Sequence, residues 1–150
     1  MNFSRVAECE EVRKTHRLAA FVSLLIVTPL GFASKFYSGR GSWWFNNYAG
    51  GIMYEVFWCL VATFIWPRAS ANSIAAWVLA ITCSLEFLQL WHPHFLEIIR
   101  TTFIGRTLIG TSFSWWDLPH YLLGCCAGWL WIRYLREERR FSHEFDRYDR

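Results

Sequence analysis

The feature that most constrains this chain is a series of long apolar stretches with almost no charge. Three of them, residues 18–34, 47–66 and 73–91, contain only two charged side chains, Glu55 and Glu86. Because a helix rises 1.5 Å per residue, about 20 residues cross the roughly 30 Å hydrocarbon core of a bilayer. These stretches therefore predict membrane-spanning helices.

A fourth span is predicted toward the C-terminal end. It begins near Asp117 and has Pro119 in its first turn, where the missing amide does no harm. Residues 92–116 contain arginines and glycines among short apolar runs that are too interrupted to span a bilayer. We therefore expect an all-α polytopic membrane bundle of four transmembrane helices, with a re-entrant or interfacial segment between spans three and four.

The distribution of basic residues predicts the orientation. The N-terminal segment, the loop after the second span and the C-terminal tail hold eleven lysines and arginines, against four in the other two connections. The positive-inside rule then places both termini in the cytoplasm. The expected organisation is a cytoplasmic N-terminal segment (1–17), a membrane domain (18–134) and a charged cytoplasmic tail (135–150).

Composition narrows the class of partner. With 54% hydrophobic and 19% aromatic residues, the chain is too apolar for a nucleic-acid-binding or disordered protein. Membrane lipids are the expected partners, and other membrane protein subunits remain an alternative. No C-x-x-C or cysteine–histidine spacing occurs, so no metal site and no cofactor is implied.

Glu55 and Glu86 are the strongest functional signal in the sequence. An ionisable side chain in a bilayer costs about 2.5–3.5 kcal/mol on insertion scales, so its presence calls for a reason. Both lie roughly 8–12 Å below the predicted outer boundary and could share one pocket. The alternative is that arginines neutralise the two carboxylates, or that burial keeps them protonated, and that they then only stabilise the fold.

Further polar residues fall on the same side of the predicted membrane. Guanidinium groups in the outer connections suit phosphate or carboxylate recognition through their two-pronged geometry. The candidate ligand-binding residues are Glu55, Glu86, Gln89, Arg40, Arg100, Arg106, Asp117 and His120. Glu55 or Glu86 together with His120 could also supply acid–base chemistry, although no known catalytic motif identifies a catalytic residue.

Small residues mark one face of the fourth predicted span. Gly124 and Gly128 form a GxxxG pattern, which permits close approach of helix backbones in a lipid environment. We interpret these two glycines as helix-packing residues.

The sequence also resembles a known family. The segment SLEFLQLW, with Glu86 and Gln89, is followed by an arginine and then by SWWDLPHYLLGCCAG, an order typical of the VanZ-like superfamily. The segment GRGSWWFNNYAGGIMYEVFW is similar to an uncharacterised bacterial membrane branch, domain of unknown function family 2809. The matching segments extend over residues 39–128.

This resemblance implies a small multi-span protein of the bacterial cell envelope, located in the inner membrane. The name-giving VanZ is associated with antibiotic resistance, at a low level and toward teicoplanin. The pattern residues it carries onto this chain are Glu86, Gln89, Arg106, Asp117 and Gly124. His120 departs from the asparagine often found at that place in VanZ-like proteins, which weakens any inference of shared chemistry.

Three functions remain open at this point. The first is binding of an amphipathic or lipid-linked envelope molecule at an outer-leaflet carboxylate and arginine site. The second is a small accessory subunit of a larger membrane complex, which docks onto neighbouring helices through the GxxxG face and aromatic belts. The third is a membrane enzyme that acts on an envelope lipid.

Overall fold

The computed structural model describes residues 3–105 and 113–148. Every regular element in these two ranges is helical, which confirms the all-α prediction. The α-helices are α1 (Phe3–Ala33), α2 (Ser42–Trp44), α3 (Gly50–Ile65), α4 (Ala71–Leu88), α5 (His94–Thr101) and α6 (Asp117–Tyr148). A π-helical stretch, Phe45–Ala49, joins α2 to α3.

Three helical segments are long and apolar enough to cross a bilayer, namely Lys14–Phe36, Ser42–Ile65 and Ala71–Leu88. They coincide with the first three predicted spans to within a few residues at each end. Large apolar side chains such as Leu25, Trp77 and Ile81 stay exposed on these segments, as expected where lipid covers the surface. The three helices are therefore compatible with a membrane protein.

Exposed hydroxyl groups in the apolar segments satisfy their own hydrogen bonds. The Thr28 Oγ1 donates to the Leu24 carbonyl at 2.8 Å, and the Ser84 Oγ donates to the Ala80 carbonyl at 2.7 Å. A hydroxyl that faces hydrocarbon has no water to which it can donate. The hydrogen bond to the preceding turn of the helix therefore avoids the free-energy cost of an unsatisfied donor.

Helix α3 lies at the centre of the bundle, and α1 packs against it in the opposite direction. Near the start of α1's apolar part the Phe21 ring lies 6.4 Å from that of Phe64 at the far end of α3. Just beyond the other end of α1, the Lys35 Nζ donates to the Asn46 carbonyl at 2.7 Å. Val27, Val56 and Leu60 fill the core between them.

Helix α6 runs parallel to α3 and antiparallel to α4. The register follows from Cys125, which contacts Glu55, and from Gly128, which faces Cys59. At the far end of α6, the Arg136 Nη2 donates to the Ala69 carbonyl just before α4 at 2.8 Å. The core shared by α3, α4 and α6 consists of Cys59, Ala71, Ile74, Val78, Cys125 and Ile132.

The two glycines of the GxxxG pattern form the contact between α6 and α3. A Cβ on Gly124 would lie 2.6 Å from the Glu55 Cβ and 2.8 Å from the Ile52 carbonyl oxygen, and one on Gly128 would lie 2.8 Å from the Cys59 Cβ. Since the pattern is used within the chain, it is not a free face for a neighbouring subunit. The accessory-subunit hypothesis thereby loses one of its supporting features, while the aromatic belts and the small size of the chain are unaffected.

The connection between α4 and α6 contains a short amphipathic helix. In α5, Leu96 and Arg100 are buried on one face, whereas Phe95 and Ile98 are exposed on the other. An exposed apolar face on a short helix is suited to the membrane surface. Residues 106–112 lie outside the described part of the chain, and with them one of the predicted site residues, Arg106.

Neither predicted domain boundary coincides with a helix end. Helix α1 continues from Phe3 through residue 17, and α6 continues past residue 134 to Tyr148. The membrane domain and its two flanking segments thus share continuous helices, and their division at 17/18 and 134/135 stays a prediction.

The N-cap of α4 gives a first testable prediction. The Ser70 Oγ accepts a hydrogen bond from the Ser73 amide at 3.0 Å. We expect Ser70→Ala to lower the free energy of unfolding by about 1 kcal/mol, since that amide then loses its cap. Thermal unfolding in detergent measures the effect, with Ser84→Ala as the control because its hydroxyl only bonds back along its own helix. Equal stability of the two variants would contradict the assigned cap.

Candidate functional site

The carboxylate of Glu86 is the centre of a buried polar cluster at the C-terminal end of α4. Only 1% of the residue is exposed. The Gln89 Nε2 and the Tyr121 hydroxyl donate to its Oε2 at 3.0 and 2.9 Å, and the Ser114 amide donates to its Oε1 at 2.8 Å. Three parts of the chain, α4, the segment before α6 and α6 itself, therefore converge on one side chain.

Local structure explains why these donors meet. Gln89 follows Glu86 by three residues, so the two side chains lie on one face of the same helix end. Ser114 belongs to the turn before α6, where the Asp117 amide donates to the Ser114 carbonyl at 3.1 Å. Tyr121 comes one turn after Asp117, on the face that α6 packs into the bundle. Hydrogen bonds to a charged group are stronger than neutral ones, so the cluster holds α6 in place.

Two polar atoms beside this cluster are buried and have no hydrogen-bond partner among the described residues. They are the Gln89 Oε1 and the Arg100 Nε. Arg100 reaches the end of α4, where its Nη2 donates to the Leu88 carbonyl at 3.1 Å, and its Nη1 pairs with Glu97 at 2.9 Å. A buried polar atom without a partner costs about 1–3 kcal/mol, so these atoms mark a place where a further polar group would be stabilising.

Glu55 lies deeper in the bundle, at the contact between α3 and α6, and is fully buried. The Cys125 Sγ donates to its Oε2 at 3.1 Å, while its Oε1 has no hydrogen-bond partner in the described residues. A thiol is a weak donor, so Glu55 is much less well compensated than Glu86. Both carboxylates lie within electrostatic range of the Tyr121 hydroxyl, but they do not share a hydrogen-bond donor among the described residues.

His120 and Asp117 form a second group at the start of α6. The His120 ring stacks on Tyr48 with the ring centres 4.2 Å apart, and its Nδ1 lies 2.6 Å from the Trp116 carbonyl. Asp117 occupies the first turn of α6, where a negative charge interacts favourably with the helix dipole. It is within electrostatic range of Glu86, His120 and Lys35.

The fold unites part of the predicted site. It brings Glu86, Gln89 and Arg100 together at the end of α4, with Glu55 deeper and Asp117 nearby. Arg40 is exposed in the turn before α2, and the described residues contain no ion pair between an arginine and either buried glutamate. The alternative that arginines neutralise Glu55 and Glu86 is therefore not supported for Arg40 or Arg100.

Three partners of these carboxylates were not among the predicted site residues. Tyr121 and Cys125 lie on the α6 face that also carries Gly124 and Gly128, so helical spacing alone could have selected Tyr121. Nothing in the sequence distinguishes the Ser114 amide, because a backbone donor is placed by the turn and not by a side chain.

Among the described residues no group of three or more histidine, cysteine or acidic side chains could hold a metal ion. The site is therefore described by its hydrogen-bonding chemistry. It offers buried acceptors on Gln89 and Glu55, a buried guanidinium on Arg100, and a carboxylate that organises the helices around them.

Fold and site together define an all-helical protein with three helices long and apolar enough to cross a membrane, and with a buried carboxylate cluster at one end of its bundle. Residues 40–125 match the family described as proteins of unknown function DUF2809, and because this is more than half of the chain, the protein belongs to that family. No solved structure matches the chain. The matched residues contain the whole cluster, from Glu55 through Glu86 and Ser114 to Tyr121 and Cys125.

Proposed function

We propose that this protein is a four-span, VanZ-like protein of the bacterial inner membrane that binds the polar part of an amphipathic or lipid-linked envelope molecule beside Glu86. The observation that carries the proposal is the pair of buried, unpartnered atoms, the Gln89 Oε1 and the Arg100 Nε, next to a carboxylate that already has three donors.

The packing register supports a fourth span. Helix α1 is antiparallel to α3, α3 is parallel to α6, and α4 is antiparallel to α6, which is the alternation that four successive crossings produce. The first part of α6 packs along the centre of α3 through Gly124 and Gly128. On its other side Leu122, Leu123 and Leu130 are exposed, as a lipid-facing surface requires.

Charge asymmetry supports the orientation. The Glu86 end of the bundle has the connections with few basic residues, whereas the opposite end holds the basic N-terminal segment and tail. Under the positive-inside rule both termini are cytoplasmic and Glu86 lies toward the outer leaflet. A ligand would then enter from the envelope side.

The chemistry of the two atoms indicates what the ligand presents. An amide oxygen accepts a hydrogen bond, so it suits a hydroxyl or amine on the ligand, while a guanidinium suits a phosphate or carboxylate. The apolar part of the same molecule would lie against the exposed rings of Phe87, Trp91 and Phe95 around this end of the bundle. A head group that combines donors with an anion, on a hydrocarbon chain, meets both conditions.

The VanZ-like kinship is supported by the residues that the fold brings together. Glu86 and Gln89, the E-x-x-Q pair of the pattern, are hydrogen-bonded to each other, and Gly124 packs directly against α3 at Glu55. The shared pattern would then preserve one polar cluster and the helix contact beside it.

Mass spectrometry of lipids that copurify with the protein tests the proposal. We expect wild-type protein to retain a specific head group and Gln89→Met or Arg100→Lys to retain at least about tenfold less, since a bond to a charged or buried group contributes about 1.5–3 kcal/mol. Arg68→Lys, the same substitution at an exposed arginine of the opposite end, serves as the control.

Thermal unfolding of each variant accompanies the lipid measurement, so that loss of fold is not mistaken for loss of binding. Variants that stay folded and retain the same lipids in the same amounts as wild type would exclude this site.

A further inference from the structure

A second polar cleft lies at the opposite end of the bundle, between the start of α4 and the later part of α6. It has a volume of about 270 Å³ and is lined by Ala71, Asn72, Arg133, Arg136 and Glu137. None of these residues belongs to the Glu86 cluster, and four of the five are polar or charged. The cleft is therefore a separate site with its own chemistry.

The side chains of the cleft are held in place by a series of contacts. The Trp129 Nε1 donates to the Asn72 Oδ1 at 2.6 Å, and the Arg133 guanidinium lies 5.0 Å from the centre of the Trp129 ring. Arg133 also pairs with Glu137 at 3.2 Å. Because the oxygen of Asn72 is occupied by the indole, its amide nitrogen remains as a donor toward the cleft.

The second arginine is fixed by the backbone. The Arg136 Nη2 donates to the Ala69 carbonyl at 2.8 Å, which leaves the rest of its guanidinium to the cleft. The side chain is partly buried, and burial lowers the pKa of Arg136 because it disfavours the charged form. An anion beside it would offset that cost.

The balance of the lining favours a phosphate over other ligands. Two guanidiniums and one carboxylate give a net charge of +1, and the one carboxylate is already paired with Arg133. Planar guanidiniums match the oxygens of a phosphate bidentately. The first turn of α4, to which Ala71 and Asn72 belong, adds the positive end of its helix dipole.

The position of the cleft indicates the source of the phosphate. Trp129, an amphipathic ring of the kind found at membrane interfaces, lies beside it, and the exposed side chains of Trp77 and Leu130 lie farther along the same two helices in the apolar part. A lipid with its phosphate in the cleft would place its hydrocarbon chain beside these exposed apolar side chains. Both its head group and its chain would then contact the protein.

We propose that this cleft binds the phosphate of an anionic phospholipid head group. Arg133 and Arg136 hold the phosphate oxygens, and Asn72 donates a further hydrogen bond. The phosphate chemistry is independent of the function proposed for the Glu86 cluster. The orientation proposed above would place the cleft, at the opposite end of the bundle from Glu86, in the cytoplasmic leaflet, and only that placement rests on the proposed function.

Lipid titration of the delipidated full-length protein, followed by native mass spectrometry, tests the proposal. We expect dioleoyl phosphatidylglycerol to bind and Arg133→Gln/Arg136→Gln to weaken its binding about 10-fold or more, since each interfacial arginine contributes to attraction of anionic lipid. Arg68→Gln removes one positive charge from the neighbouring loop outside the cleft, and it should change the affinity less than about threefold.

A gain of affinity provides a test that misfolding cannot imitate. Glu137→Gln removes the carboxylate that pairs with Arg133, so phosphatidylglycerol should bind about threefold more tightly. Unchanged or weaker binding by this variant, or a double variant that binds like Arg68→Gln, would overturn the site.

Inorganic phosphate distinguishes a lipid from a soluble phosphate ligand. We expect millimolar phosphate not to displace phosphatidylglycerol, because the free ion lacks the hydrocarbon contacts along Trp77 and Leu130. Displacement of phosphatidylglycerol by millimolar phosphate would overturn the lipid assignment.

Discussion

Replacing Gly124 with alanine is expected to destabilise the protein by about 3 kcal/mol, because the added methyl group overpacks the contact between α3 and α6. The added Cβ would lie 2.8 Å from the Ile52 carbonyl oxygen, a backbone atom that cannot rotate away, and 2.6 Å from the Glu55 Cβ. Helices α3 and α6 must therefore separate, and the Cys125–Glu55 hydrogen bond at the same level is lost with the contact. Denaturant titration in detergent micelles measures the loss.

Gly51→Ala is the matched control for this substitution. Gly51 lies on α3 in the same helix contact, but a Cβ there would meet only the Tyr121 ring at 3.5 Å, an ordinary van der Waals distance. We expect a change of less than about 1 kcal/mol, because nothing has to move. Gly124→Ala and Gly51→Ala of equal stability would show that α3 and α6 do not pack as closely as described.

The second large effect is expected for Glu86→Ala, at roughly 3–5 kcal/mol. The change leaves three donors without an acceptor, from Gln89, Ser114 and Tyr121, and each buried unsatisfied group costs about 1–3 kcal/mol. Glu86→Gln keeps an oxygen that can accept some of these bonds, so it should lose about half as much. Thermal unfolding of wild type and the two variants, at the same detergent and lipid content, measures these losses of stability.

The control for Glu86→Ala is Glu137→Ala, which removes an exposed carboxylate from the opposite end of the bundle. Glu137 and its ion-pair partner Arg133 have side chains that are 61% and 52% exposed, so the loss of this carboxylate should cost about 1 kcal/mol or less. If Glu86→Ala were as stable as Glu137→Ala, the hydrogen bonds to Glu86 would not hold α6 to α4.

Substitutions of Glu86 are expected to change both stability and ligand binding, whereas substitutions of its neighbours Gln89 and Arg100 can separate the two effects. Glu86 uses its oxygens to hold three segments together, so a change there is expected to affect fold and function at once. Gln89 and Arg100 each keep one buried polar atom free of partners among the described residues, so milder changes at these two positions report on the ligand. This division is the reason that the lipid experiment is designed on Gln89 and Arg100.

The spans were predictable because crossing a bilayer is a local property of composition and length. Residues 18–34, 47–66 and 73–91 were expected to span, and Lys14–Phe36, Ser42–Ile65 and Ala71–Leu88 are long and apolar enough to do so. The observed ends differ from the predicted ends by a few residues, because capping hydrogen bonds determine where a helix begins. Helix α4, for example, begins at Ala71 because the Ser70 side chain accepts a hydrogen bond from the Ser73 amide.

The candidate site was predictable only in part. Glu86 and Gln89 are three residues apart on one helix, so their proximity is a local consequence of helical geometry. Arg40 was expected beside them only because the predicted topology puts it on the same side of the membrane. Being on the same side does not determine whether two residues are in contact. The structure leaves Arg40 exposed and brings Tyr121 to Glu86 from 35 residues away.

What the sequence alone determined is that buried charge is concentrated in a helical membrane bundle at Glu55 and Glu86, because apolar length and the cost of a charge in lipid can be read residue by residue. Only the tertiary structure decided which groups satisfy those charges. The parallel register of α3 and α6, fixed by Gly124 and Gly128, brings a thiol to Glu55, whereas the return of α6 beside α4 brings a phenol to Glu86. Hydrogen bonds between distant segments depend on how helices pack, and helix packing depends on both surfaces at once.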